Sequence, residues 1–251
     1  MPTPINHLVM GQELFQNGMM SPPVQKLLEV QAGPFLLGHT AADVQTVSGQ
    51  PRAETHFYDI PPSSDTPAYR TLLAAHPDLS DARLLDPEHV AFVAGYLSHL
   101  VADEAWWWEV FYPFFSPAAT WGSWDERRFL HNVLRTHLDR EDQSRLGDDV
   151  RDAIARTEPR SWLPFVDDQA LRMWRDWLVD QLQPDNRVMT AEVFARRMNL
   201  PVEEVEAALE STHRMEYIFQ HIPRSSLETY RESVRHNSAS LVNDYMRGRL
   251  A

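Results

Sequence analysis

The stretch HVAFVAGYLSHLVADEAWWWEVFYPFF, His89 to Phe115, limits what this chain can fold into more than any other segment. Asp86 followed by Pro87 provides a capping side chain and a first-turn proline, and no breaker follows until Pro113. That leaves room for about seven turns at 3.6 residues each. Between Val90 and Val110 this helix is apolar nearly all round, so other elements must cover it on every side. It nevertheless carries His99, Asp103, Glu104 and Glu109. Charges withdrawn from water need partners. His99 and Asp103 are four residues apart, which on a helix places both side chains on one face, about 5–6 Å apart at Cβ. Such a pair either hydrogen-bonds or supplies two ligands to one cation. Glu104 points about 100° away and is better suited to orienting another group.

The rest of the chain also reads as helix, and the fold class expected is all-α: a multi-helix bundle around the segment above. Ser21-Pro22-Pro23 opens a helix for which Gly33 is a plausible stop. Ser123 with Glu126 forms a capping-box pattern ahead of Phe129, Leu130, Val133, Leu134 and Leu138. Leu171, Trp174, Leu178 and Leu182 mark another helix. Ser225 with Glu228 repeats the capping pattern before a terminal stripe of Leu227, Tyr230, Val234, Leu241 and Tyr245. The pattern divides into a helical domain over 1–185 and a helical C-terminal extension over 186–251 packed on it. From Met189 onward, two short helices separated by Asn199-Leu200-Pro201 superficially resemble a helix-turn-helix, but the second is acidic and packing is the better reading. Residues 44–67 are the exception, a long irregular loop with turn signals and little periodicity. Loops of that length in compact domains are functional or anchored from outside.

Asp43 and His56 bracket that loop. A cation shared between them and the His99/Asp103 face would explain how an aperiodic segment becomes ordered. His7 lies on a helix face with Met10, Gly11 and Leu14, where a histidine is ordinarily packed or hydrogen-bonded in the core.

Composition removes several alternatives. The absence of cysteine excludes disulfides, thiolate nucleophiles and zinc fingers. A formal net charge of -13 opposes long-range attraction to phosphate backbones, so nucleic acid is a disfavoured partner. No apolar run approaches the ~20 residues of a membrane span, and no secretory signal is visible, so a cytoplasmic location is expected.

Taken together, His7 in an amino-terminal helix, GPFLLGHTAADV ending near Asp43, the Thr55-His56-Phe57 triplet and AFVAGYLSHLVADEAWW resemble the zinc-dependent phospholipase C family over roughly residues 5–110. That family is all-α, binds a cluster of zinc ions and is related in fold to zinc-dependent single-strand nucleases. The resemblance implies that Asp43, His56, His99 and Asp103 are the main zinc ligands, with Asp103 bridging two ions and His7 binding the second. It also implies that Asp43 is catalytic, orienting or deprotonating a water. The family histidine ten residues beyond His99 is replaced by Glu109, and only His137 and Glu141 offer a later pair. One or two zinc ions are therefore expected. His137, on an apolar face, reads more readily as a core histidine.

The activity implied is metal-dependent hydrolysis of a phosphodiester, with a small phosphodiester or phospholipid head group, for example a choline type, as partner. Two further readings share the metal site: a single-strand nuclease, and a metal-binding helical protein that has lost hydrolysis. A third, a helical interaction protein with structural histidines, does without it. The aromatic run from Trp106 to Phe115 fits either core or a substrate wall beside the metals.

Overall fold

The computed structural model describes residues 1–250 except 17, 64 and 184–188. Within them the chain is all-α, and its one strand-like feature is an isolated bridge between Leu163 and Val166. The apolar segment forms a central helix, Pro87–Trp106, capped by the Asp86 carboxylate, which accepts from the His89 backbone N–H at 3.0 Å. Every residue from Val90 to Leu100 is buried. Beyond Trp106 the helix widens into a π-turn, Trp107–Phe111, and finishes as Tyr112–Phe115 before Ser116 turns extended.

The helices Ala32–Ala41, Arg224–Met246 and Pro4–Gln16 cover the central helix. The first of these crosses it at backbone contact. A Cβ at Gly38 would lie 2.0 Å from the Phe92 carbonyl oxygen, and one at Gly95 would lie 2.1 Å from that of Phe35. Glycine at both positions is therefore a condition of the crossing. Because the backbones touch there, His39, one residue beyond Gly38, is brought within reach of His99.

Two apolar clusters meet along the central helix. Val90 to Leu100 belong to one, with Phe35, Leu72 and Trp174, while Ala102, Trp106 and Val110 belong to the other, with Leu134 and Tyr230. The His99–Asp103 turn lies at the seam, the one stretch of the helix where polar groups can be buried without interrupting either cluster. Each fully buried Leu, Phe or Trp adds about 1.5–3 kcal/mol, so both clusters tolerate an expensive polar seam between them.

Several expectations change. Gly33 does not stop a helix: the one opened at Ser21 is Pro22–Val30, and Gly33 lies inside Ala32–Ala41, where a Cβ would meet the Ala153 carbonyl oxygen at 2.3 Å. Ser225 is no cap, because Pro223 precedes the terminal helix and Ser225 is already inside it. The long irregular loop is partly helical. It contains Gln45–Ser48, closed by Gly49 in the left-handed conformation, and Arg52–His56, opened by Pro51. Pieces of four and five residues are too short to show a period. The capping box at Ser123 and the two short helices Thr190–Met198 and Val202–Glu210 are as expected. The boundary at 185/186 involves residues 184–188, outside the described ones. No helix among the described residues is long and apolar enough to cross a membrane.

Candidate metal centre

The local structure delivers each side chain to the seam. His7 comes from Pro4–Gln16, whose first turn closes with His7 N–H donating to the Thr3 carbonyl. Asp43 sits in a 3-10 turn, Ala42–Val44, continuing the helix that crosses the central one. His56 is the last residue of Arg52–His56, after which Phe57 adopts φ 60° and turns the chain away. An aromatic residue held left-handed costs about 1–2 kcal/mol, and here it ends the turn directly after the histidine.

All five residues singled out from the sequence converge. His7 Nε2 is 3.5 Å from Asp103 Oδ1. His56 Nε2 lies 3.4 Å from Asp103 Oδ2 and 3.7 Å from Asp43 Oδ1, and His99 Nε2 lies 3.8 Å from Asp103 Oδ2. The rings of His7 and His99 stack at 3.9 Å. Two triads result, His7–His99–Asp103 and Asp43–His56–His99, and within each the ligand atoms lie within 4.8 Å of one another. His99 belongs to both. These residues could hold a metal ion.

The surroundings prepare the imidazoles for that task. His99 Nδ1 is 3.0 Å from the His39 carbonyl oxygen, so it carries the proton and Nε2 presents its lone pair to the centre. Thr55 Oγ1 donates to Gln45 Oε1 at 2.8 Å and lies 3.0 Å from His56 Nδ1, whose N–H it can then accept. Tyr96, on the central helix, holds this turn by donating to the Thr55 carbonyl. Both nitrogens of His7, Nε2 of His99 and Oδ1 of Asp103 are buried without a hydrogen-bond partner. An unsatisfied buried polar atom costs about 1–3 kcal/mol, and several converging on one point fit a cation.

Electrostatics agrees. Burial, reinforced by His7, pushes His99 well below the usual histidine range, and burial drives His56 down to about 3 against the pull of Asp103. Burial alone would raise Asp103, but His99, His7, His56 and Arg52 together hold it well below the usual carboxylate range. Asp43 is raised by burial and then by Asp103. Burial thus disfavours protonation of His99 and His56, which leaves a ring lone pair on each for a cation.

Other sequence candidates stay outside. Glu109 accepts from the Ser233 hydroxyl at 2.7 Å, turned towards the terminal helix. The π-turn over Trp107–Phe111 rotates Glu109 further round the helix from His99 than regular α-helix would. His137 is half-buried rather than core and sits 3.2 Å from Glu141, with Arg224 beside both at the surface. His39 contributes its carbonyl, and both of its ring nitrogens are unpartnered. The aromatic run divides. Trp106 and Phe115 are core, Trp108 and Tyr112 are exposed, and Glu104 accepts from the Ala68 N–H at 3.0 Å.

Residues the sequence reading passed over complete the site. Arg52 Nη2 is 2.8 Å and Tyr58 Oη 3.0 Å from Asp103 Oδ2, where both donate. Arg52 precedes His56 by four residues on one short helix, a spacing that was open to notice. Above Asp43 and Arg52 opens a cavity of about 180 Å³, walled also by Arg135, Trp177, Phe194 and Arg197. None of the residues from Trp106 to Phe115 lines it, so the aromatic wall of this cavity comes from elsewhere in the chain.

Comparison with family models, with curated proteins and with solved structures found no match.

Proposed function

We propose that the protein is a metal-dependent phosphoester hydrolase, with zinc the ion that suits its histidine and carboxylate donors. One observation carries this reading: two ligand triads that share His99 lie under a cavity into which Asp43 and Arg52 face. Bound there, the ion would polarise a phosphoryl oxygen and make a nearby water more acidic.

The chain's own groups supply the rest. Asp43 has a side chain about one-fifth exposed, between the buried triads and the cavity, so its carboxylate is placed to orient a water and accept its proton. Arg52 is also partly exposed, and a guanidinium at the cavity floor can donate to phosphoryl oxygens as their charge grows. A cavity of this size suits a small phosphodiester or the head group of a phospholipid. The rival reading, a metal-binding scaffold without turnover, draws on Glu109 standing apart and on Arg52 and Tyr58 already satisfying one oxygen of Asp103.

Two measurements decide between them. Protein purified without added metal should contain zinc or an iron-group ion by elemental analysis. It should hydrolyse bis-(p-nitrophenyl) phosphate, lose that activity on chelation and regain it with zinc. Asp43→Asn should lower the rate more than the metal content. Inertness of the metal-replete protein towards phospholipid, nucleotide and generic diester substrates would leave the scaffold reading.

A further inference from the structure

The cavity above the metal centre has a charge that the chain as a whole does not. Against a net charge of -13, its wall holds, among the described residues, Arg52, Arg135 and Arg197 but a single carboxylate, Asp43. Two of these arginines come from elements that contribute nothing to the metal centre. Arg135 lies on Trp124–Gln143, and Arg197 on Thr190–Met198. In the latter helix Thr190, Val193, Phe194 and Arg197 all line the cavity, and their 0, 3, 4, 7 spacing is that of one helical face. The segment that looked like a helix-turn-helix thus places one whole face over the proposed active site.

Among the described residues no carboxylate lies within ion-pair distance of Arg135 or Arg197, although Arg140, Arg145, Arg172, Arg175 and Arg231 all have one. Arg135 donates to the Met1 carbonyl at 2.9 Å and to Asn132, its guanidinium stacks 4.0 Å over the Phe194 ring, and its Nε is buried without a partner. Burial, and next the like charge of Arg197, push Arg135 down to about 9. Two cations facing one cavity raise each other's energy, Asp43 offsets that only in part, and a further anion placed between them lowers it.

We propose that Arg135 and Arg197 form an anion subsite that selects phosphoesters bearing a second anionic group, a carboxylate or another phosphate, over those with a cationic group such as choline. The inference rests on the phosphoester reading for the place of the first phosphate, over Arg52 and the metal ligands. The second anion then lies towards Arg135 and Arg197, while Trp177 and Phe194 take the apolar linker.

Calorimetry on the zinc-loaded full chain with two ligands of similar size tests this. 3-Phosphoglycerate carries phosphate and carboxylate, and phosphorylcholine carries phosphate and a cation. Wild type should bind the first at least tenfold more tightly, by a margin that shrinks as salt rises. Arg197 is exposed, so Arg197→Glu should fold and keep its metal, yet reduce the preference to less than threefold or invert it. Arg135→Met, which keeps an apolar stem against Phe194, should weaken 3-phosphoglycerate alone. Equal or tighter binding of phosphorylcholine by wild type, no binding of either ligand, or a preference unchanged in Arg197→Glu overturns the subsite. The expected preference and its loss in the variant, found in a protein that hydrolyses no phosphodiester, would uphold the subsite and overturn the hydrolase reading instead.

Discussion

His7 and Glu13 stand on the same helix, both buried, and meet opposite circumstances. Around Glu13 everything is paired: Arg145 at 2.6 Å, Arg235 at 3.4 Å and Arg231 at 3.6 Å. Arg145 and Arg231 go on to Asp142, which also takes the Asn6 amide. Around His7 two ring nitrogens, a neighbouring His99 nitrogen and a carboxylate oxygen have no partner. The first cluster ties Pro4–Gln16 to Trp124–Gln143 and Arg224–Met246 and has nothing left to offer a ligand. The second brings one ligand atom each from His7, His99 and Asp103 within 4.8 Å of one another. Burial alone does not separate a strut from a site, and neither does one unpartnered group, since His39 has two such ring nitrogens outside both triads; unpartnered atoms of several residues brought together do.

The sharpest way to break this contrast is His99→Ala. Because His99 belongs to both triads, the substitution should remove metal from the protein altogether, read by elemental analysis, and chelator should no longer lower its melting temperature. His131 serves as the control. It is another buried imidazole, but Trp106 Nε1 donates to its Nε2 at 3.1 Å, so His131→Ala should destabilise the fold and leave metal content unchanged. Equal metal loss from both variants would mean that saturation does not discriminate.

Asp139 is the intermediate case. Its buried carboxylate accepts from the hydroxyls of Thr3 and Thr190, with no cation within ion-pair distance among the described residues. Burial pushes it up to about 7, the two hydroxyls opposing the rise. Since the folded value exceeds the unfolded one, near 4, the stability it contributes is complete below pH 4 and is lost as pH rises through 7. The limit is about 4 kcal/mol for three pH units at about 1.4 kcal/mol each. Denaturant titrations should show Asp139→Asn flattening that decline. A wild-type curve with the same slope as the variant would place the Asp139 carboxylate among the ordinary surface acids.

Within the saturated cluster, Asp142→Ala should cost about 3 kcal/mol by urea unfolding, less than the upper range for buried pairs because Arg145 is half exposed and rehydrates. Metal content should not change. Loss of metal in this variant would show that the two clusters are coupled through Pro4–Gln16.

How far these groups could be read beforehand follows from their separation in the chain. His99 and Asp103 were legible because one helical turn fixes their relation whatever surrounds them. His7, Asp43 and His56 were assembled by a resemblance in order and spacing, since no local rule joins three separate elements. His56 also looked like part of an unstructured loop that begins just after Asp43, because helices of four and five residues carry no period. Arg135 and Arg197 gave no signal at all. Each is one arginine on an ordinary amphipathic helix, and only the docking of Thr190–Met198 against Trp124–Gln143, distant in the chain, turns them to one cavity.

The smallest predicted effect tests whether the support behind the ligands has consequences of its own. The Thr55 hydroxyl touches no candidate ligand atom that would face an ion; it lies behind His56, at Nδ1, with Gln45 and the Arg52 carbonyl as its other partners. Removing it should leave the fold and the ligand set in place but free the imidazole to rotate and to exchange tautomers, so that Nε2 no longer always presents its lone pair. Loss of such a supporting hydrogen bond costs 10- to 100-fold in metal affinity, and the lower end, about 1.4 kcal/mol, is expected here because burial still confines the ring. Competition of Thr55→Val against a chromophoric zinc chelator should therefore show about a tenfold weaker site, with Thr55→Ser restoring it. Were Thr55→Val to bind zinc as tightly as wild type, the orientation of His56 would be set by packing alone, and the hydroxyl would belong with the saturated struts rather than with the site.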